Sequence, residues 1–184
     1  MKGKTRNMIL TALFAALTAA GAFIKIPIGS VPFTLQLFFT VLSGILLGGK
    51  LGALSQLVYI LIGLAGIPIF ASGGGISYVY NPSFGYLIGF ILASYVTGKM
   101  VEARENPSFV WLLISCLMGA VVIYIVGVPY LYMILKVVLN KSVNISGILK
   151  TGFLIFIPGD LIKCVLTALI GVKIVPVIKK EMLK

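Results

Sequence analysis

Six apolar runs divide this chain: Met8 to Ile24, Phe33 to Leu47, Leu51 to Ile67, Phe84 to Val101, Phe109 to about Leu131, and a last stretch within Thr151 to Ile178. Each approaches the ~20 apolar residues an α-helix needs to cross a bilayer. In hydrocarbon every backbone N–H and C=O must be satisfied internally, which long helices do and isolated loops do not. Charge agrees with that environment. Only 10% of the 184 residues are charged, against about 25% in soluble domains. The expectation is an all-α integral membrane protein: a single domain over residues 1–184, with six transmembrane helices in a compact bundle. Ala20-Gly21-Ala22 resembles a signal-peptidase site, but the run before it is read as the first membrane helix.

The breaks between runs are informative. Pro27 and Pro32 bracket the first loop, and Gly48-Gly49 with Lys50 marks a tight turn. Residues 72–83 form a glycine- and tyrosine-rich loop without charge. Tyr130 to Lys150 fits a helical extension along the interface followed by a polar loop. Pro158-Gly159 either kinks a long final helix or opens a shorter one. Of the 15 Lys and Arg residues, ten fall at the end holding both termini, Lys50 and the 99–104 turn. Four fall at the other end, namely Lys25, Lys136, Lys141 and Lys150. Positive charge favours the cytoplasmic side, so both termini are expected to be cytoplasmic in a multi-pass plasma-membrane protein surrounded by lipid.

Several function classes are disfavoured. The net charge of +11 is scattered over segment ends, so no basic patch for nucleic acid forms. The chain lacks histidine, holds one Asp and three Glu, and places Cys116 and Cys164 inside apolar runs. Neither a metal site nor a Ser-His-Asp arrangement can be assembled from that inventory, and an enzyme is not expected. Gly44 to Lys50 imitates a phosphate-binding loop, but Leu51 stands where Ser or Thr is required and the stretch ends a membrane helix. Energy for transport would have to come from elsewhere.

The remaining polar residues are the candidates. Asp160, the sole Asp, lies in an apolar stretch three positions before Lys163. A charge at a membrane helix centre costs roughly 2.5–3.5 kcal/mol, and such residues are functional candidates by default. Three apart on a helix, the two share a face. They are either a ligand site or a salt bridge locking the last helix. Thr34 and Gln36 at the second run serve either a ligand or helix–helix hydrogen bonding. Asn81 and Tyr86 flank the start of the fourth run, and the glycines of the 72–75 loop let backbone N–H groups approach a ligand. On the first helix, Ala12, Ala16 and Ala20 form one small-residue row, and Ala15 with Ala19 a parallel one. Such rows let another helix approach closely, inside this protein or from a separate subunit.

Four segments taken in order resemble the BioY family: Val31-Pro32-Phe33-Thr34-Leu35-Gln36, Gly63-Leu64-Ala65-Gly66-Ile67-Pro68-Ile69-Phe70-Ala71 with the glycine run after it, Asn81-Pro82-Ser83-Phe84-Gly85-Tyr86-Leu87-Ile88-Gly89-Phe90, and Pro158-Gly159-Asp160-Leu161-Ile162-Lys163. The resemblance spans nearly the whole chain. It implies a biotin-binding membrane subunit (S component) of an energy-coupling-factor transporter, partnered by a transmembrane coupling subunit and two ATPase subunits. Biotin is then a transported substrate, with no cofactor or metal. The alanine face of Ala12, Ala15, Ala16 and Ala19 would dock the coupling subunit. Biotin's ureido group carries two N–H donors and one C=O. Asp160 can accept from an N–H and Lys163 can donate to the C=O, or Lys163 can instead meet the carboxylate. Asn81 would complete the ureido contacts, with Gln36 and Thr34 nearby. Phe33, Tyr86 and the Gly74-Gly75 loop would take the thiophane ring and tail. A standalone ion-coupled transporter of a small organic solute is the alternative.

Overall fold

A computed structural model describes residues 2–182, with side chains described over 3–177. The described residues are mostly helical, with one small hairpin. Helix α1 (Lys2–Phe23) leads into strands β1 (Lys25–Ile26) and β2 (Phe33–Thr34), which pair antiparallel. The two prolines between them leave an open connection that turns at Gly29 (φ 59°). Phe33 and Thr34 therefore sit in a strand rather than at the head of the second helix, which begins at Gln36. Lys25 donates to the carbonyl of Ala71, tying the hairpin to the loop after the second helix.

Helix α2 spans Gln36–Leu64 but is not one rod. Gly48 has φ 80° and ψ 173°, outside the helical region, and the chain doubles back there. Gln36 Nε2 donates to Tyr59 Oη at 2.8 Å, and Thr40 Oγ1 to Gln56 Oε1 at 3.2 Å. A straight helix would hold the first pair about 34 Å apart at 1.5 Å per residue. Residues 36–47 and 49–64 are therefore two antiparallel arms. Glu102 closes the turn by accepting the Gly49 N–H at 2.8 Å, and it pairs with Lys99 at 2.6 Å.

Among the described residues, five helices are long and apolar enough to cross a membrane when the doubled α2 is counted once. After a 3₁₀ turn (Ile76–Tyr80) come α3 (Phe84–Glu102) and α4 (Phe109–Met133), the latter capped by Ser108, whose Oγ accepts from the Trp111 N–H. The 130–150 region resolves into a wider, π-type continuation of α4 (Ile134–Val138), an irregular link, and a short helix α5 (Ile145–Leu149). A second π-type turn (Lys150–Leu154) leads into α6 (Ile157–Met182). Pro158 is the second residue of α6, where its missing N–H costs no helical hydrogen bond.

The α1, α2 and α3 layer is joined by a buried neutral network. Gln56 Nε2 lies within hydrogen-bond distance of the Thr18, Ser43 and Ser55 hydroxyls, and the hydroxyls of Ser43 and Ser94 are 2.8 Å apart. In lipid such side-chain bonds hold helices together without a hydrophobic driving force. One end of the bundle gathers the start of α1, the Gly48 turn and the α3–α4 link. The other end gathers the hairpin, the 65–83 loop and the 134–156 segment.

Gly48→Val forces a β-branched residue into a backbone region reserved for glycine, at a cost of about 1–3 kcal/mol. The expected result is a melting temperature several degrees lower in detergent, read by thermal unfolding fluorescence. An unchanged temperature contradicts the hairpin.

Candidate functional site

At the hairpin end, a cavity of about 540 Å³, counted out to its mouth, opens between β2, the first arm of α2, α3, α4 and α6. Its walls are mostly apolar: Val31 and Pro32 from the hairpin connection, Leu37, Leu87 and Phe90 from the helices, and Phe156 before α6. Four further rings line it, those of Phe33, Tyr78, Tyr86 and Tyr124. Five polar side chains complete the lining: Thr34, Gln36, Ser83, Asp160 and Lys163.

Asp160 and Lys163 stand together on this wall, 7% and 6% exposed. Lys163 Nζ lies 2.7 Å from Asp160 Oδ1 and donates to the carbonyl of Thr34 at 2.7 Å. It also sits 3.6 Å above the centre of the Phe33 ring, a cation–π contact. The other carboxylate oxygen, Oδ2, accepts from the Tyr124 hydroxyl. Every charge is compensated, yet capacity remains. An ammonium has three donors and two are engaged, and a carboxylate oxygen accepts more than one bond. The local sequence explains the placement. α6 begins at Ile157 with Pro158 next, so Asp160 falls in the first turn, where a helix favours negative charge. Gly159 is required because the Phe33 ring occupies the place of a Cβ there.

Gln36 is oriented from both sides. Its Oε1 accepts from Thr34 Oγ1 at 3.0 Å, while Nε2 donates to Tyr59, which in turn donates to the Ile69 carbonyl at 3.1 Å. Tyr86 presents its ring to the cavity and spends its hydroxyl on the Gly152 carbonyl at 2.8 Å. Phe33, Thr34, Gln36, Tyr86, Asp160 and Lys163 are thus brought to one cavity.

Three sequence candidates are elsewhere. Asn81 does not line the cavity. Its Oδ1 accepts from both the N–H and the hydroxyl of Ser83, at 3.0 and 2.8 Å, so it shapes the entry to α3 and leaves Ser83 on the cavity wall. Gly74 and Gly75 also lie outside it. The Gly75 N–H caps the carbonyl of Gly63 at 2.7 Å, and Gly74 packs against the end of α2. Gly74 leaves no room for a Cβ beside the Ile67 carbonyl, and Gly75 adopts φ 95°. The two alanine rows separate as well. Ala15 is buried in the core at 4% exposure and Ala19 packs against it, whereas Ala12, Ala16 and Ala20 face outward. Ala15 is therefore unavailable to another subunit.

Sequence reasoning missed Tyr124, Tyr78 and Ser83. Tyr124 left a usable signal: a hydroxyl in the middle of a membrane run needs a partner, and the only acid in a run was Asp160.

A site of this kind can grip a small, largely apolar molecule through one group that offers a donor and an acceptor side by side. A family model described as the BioY family matches residues 1–180. The chain is 47% identical to a probable biotin transporter BioY of Lysinibacillus sphaericus, over 95% of this chain and 89% of that one. It is 43% identical to the biotin transporter BioY of Thermotoga maritima, over 92% and 95%. Its fold is similar to a crystal structure of the S component for biotin from an ECF-type ABC transporter, with a TM-score of 0.79, 27% identity and coverage of 94% and 92%.

The buried pair sets a stability test. Removing one partner strands a charge and costs about 3–5 kcal/mol, while replacing both is far cheaper. Lys163→Met should lower the melting temperature more than the Asp160→Leu/Lys163→Met double variant does. Additive losses would mean the two charges are not coupled.

Proposed function

The chain belongs to the BioY family, and from this we propose that it is a biotin-binding S component of an energy-coupling-factor transporter. The observation that carries this reading is the Asp160–Lys163 pair on the wall of an otherwise apolar cavity. Biotin's bicyclic head has one polar edge, the ureido group. In this reading the free lone pairs of Asp160 accept a ureido N–H, and the third donor of Lys163 meets the ureido oxygen. Charge-assisted hydrogen bonds of this type contribute about 1.5–3 kcal/mol each. Tyr124 keeps the carboxylate aimed, and Gln36 and Thr34 extend the polar strip. Phe33, Tyr86 and Phe156 take the sulfur ring and the alkyl tail.

Two further features follow in this proposal. Counting the α2 arms separately, the bundle crosses the membrane six times, with both termini cytoplasmic. The cavity then opens outward beneath the hairpin and the 65–83 loop, fit to load from outside. The outward row of Ala12, Ala16 and Ala20 meets a transmembrane coupling subunit, and two ATPase subunits supply the energy that this chain has no motif to capture.

Titration calorimetry on the purified subunit tests the site. Asp160→Asn should weaken biotin binding by more than tenfold, with Tyr124→Phe less severe and Asn81→Ala milder still. Wild-type affinity in a well-folded Asp160→Asn protein would end the assignment. In intact cells, a membrane-impermeant maleimide should label Cys introduced at Lys141 but not at Lys50, and the reverse pattern would invert the topology. Ala16→Trp should leave biotin binding intact while preventing co-purification of the coupling subunit, and undiminished co-purification would remove that row from the interface.

A further inference from the structure

Gln36 stands on the cavity wall, and behind it lies Tyr59, which is fully buried and does not line the cavity. The two ends of a side-chain amide are alike in size, so hydrogen bonding decides which way it points. Thr34 cannot decide it. Its hydroxyl donates to Gln36 Oε1 at 3.0 Å, but a hydroxyl can equally accept from an NH2 group. Tyr59 can decide it. Its one hydrogen goes to the Ile69 carbonyl at 3.1 Å, a group that only accepts. The Tyr59 oxygen is then left to accept, so the amide end 2.8 Å from it must be Nε2. A reversed amide would set Oε1 against that oxygen or strip the Ile69 carbonyl of its donor. Tyr59 is itself held in place. Its ring packs edge-on against Phe70, with centroids 5.4 Å apart, and Phe70 fills the space where a Cβ on Gly63 would stand.

We propose that Tyr59 is a positioning residue for ligand selection, acting through Gln36; this rests on the biotin reading above. With Thr34 and Tyr59 each taking one bond, Gln36 keeps one Nε2 hydrogen and one Oε1 lone pair. A ureido group has two edges, each an N–H beside the shared C=O. Asp160 and Lys163 take one edge. Gln36 takes the other: Nε2 donates to the oxygen, and Oε1 accepts from the second N–H. Thr34 joins the two halves, because its carbonyl accepts from Lys163 while its hydroxyl meets Gln36. With the amide reversed, oxygen would face oxygen and N–H would face N–H. Tyr59 thus makes the wall read the order of donor and acceptor, from a place no ligand touches.

Titration calorimetry with biotin and 2-iminobiotin tests this. In 2-iminobiotin a protonated imino nitrogen replaces the ureido oxygen, so a donor stands where the acceptor was. Either orientation of the amide then makes one good contact and one poor one. Tyr59→Phe keeps the ring and frees the amide to turn. It should weaken biotin about fivefold, the scale of one neutral hydrogen bond, and leave 2-iminobiotin almost unchanged. Gln36→Leu should weaken biotin at least as much, and adding Tyr59→Phe to it should cost nothing more. Thermal unfolding without ligand reports that each variant is folded. Equal losses for the two ligands, or a Tyr59→Phe loss that persists beside Gln36→Leu, would mean that Tyr59 only braces the bundle and would overturn the proposal. So would unchanged biotin binding in Tyr59→Phe. Should 2-iminobiotin not bind, the pairing with Gln36→Leu decides alone. If Asp160→Asn weakens biotin and Tyr59→Phe does not, this inference falls and the biotin assignment stands; if the wild-type protein does not bind biotin, both fall.

Discussion

Two opposite charges held inside a low-dielectric bundle impose the main constraint on this structure. A lone carboxylate or ammonium there would be prohibitively costly, and even a pair is repaid only with good geometry and extra hydrogen bonds. Asp160 and Lys163 receive those bonds from three directions. Tyr124 comes from α4, the Thr34 carbonyl from the hairpin, and the Phe33 ring covers the ammonium. Satisfying the pair therefore draws together α6, α4 and the strand that precedes α2. The cavity is the space this convergence leaves on its apolar side.

The rest of the bundle is built on a different principle. Where α1, the α2 arms and α3 meet, the contacts are neutral hydroxyls and amides around Gln56, with no charge to compensate. Such bonds suit permanent helix packing, since both partners are satisfied and no titration disturbs them. Charge is kept for the cavity and for the two ends. At one end Glu102 clasps the Gly48 turn and Lys99. At the other, Lys25 ties the hairpin to the 65–83 loop above the cavity. A neutral scaffold with one charged wall matches a protein that must recognise a single polar edge of an apolar molecule.

The membrane class, the Gly48 turn and the closeness of Asp160 to Lys163 were legible without coordinates. Each shows as a local contrast: long apolar runs, a Gly-Gly between two of them, two charges where charge is expensive. Asn81 and the Gly74-Gly75 loop, expected at the site, are not on the cavity wall, for a shared reason. A polar side chain and glycines beside a site read as ligand contacts, but here Asn81 bonds Ser83 and the Gly75 N–H bonds the end of α2. The alanine rows carried no hint of which faced inward, since both have the same spacing. Phe33 and Thr34 read as helix because a two-residue strand leaves no periodicity.

The sequence by itself determined the solvent, the helices and the buried place where opposite charges had to be reconciled, because these depend on hydropathy and on spacings within a single helix. Only the tertiary structure decided which residues answer those charges. Tyr124 is 36 residues from Asp160 and the Thr34 carbonyl 129 from Lys163. Hydrogen bonds over such separations are set by how helices cross and where the chain doubles back, and no local pattern records that.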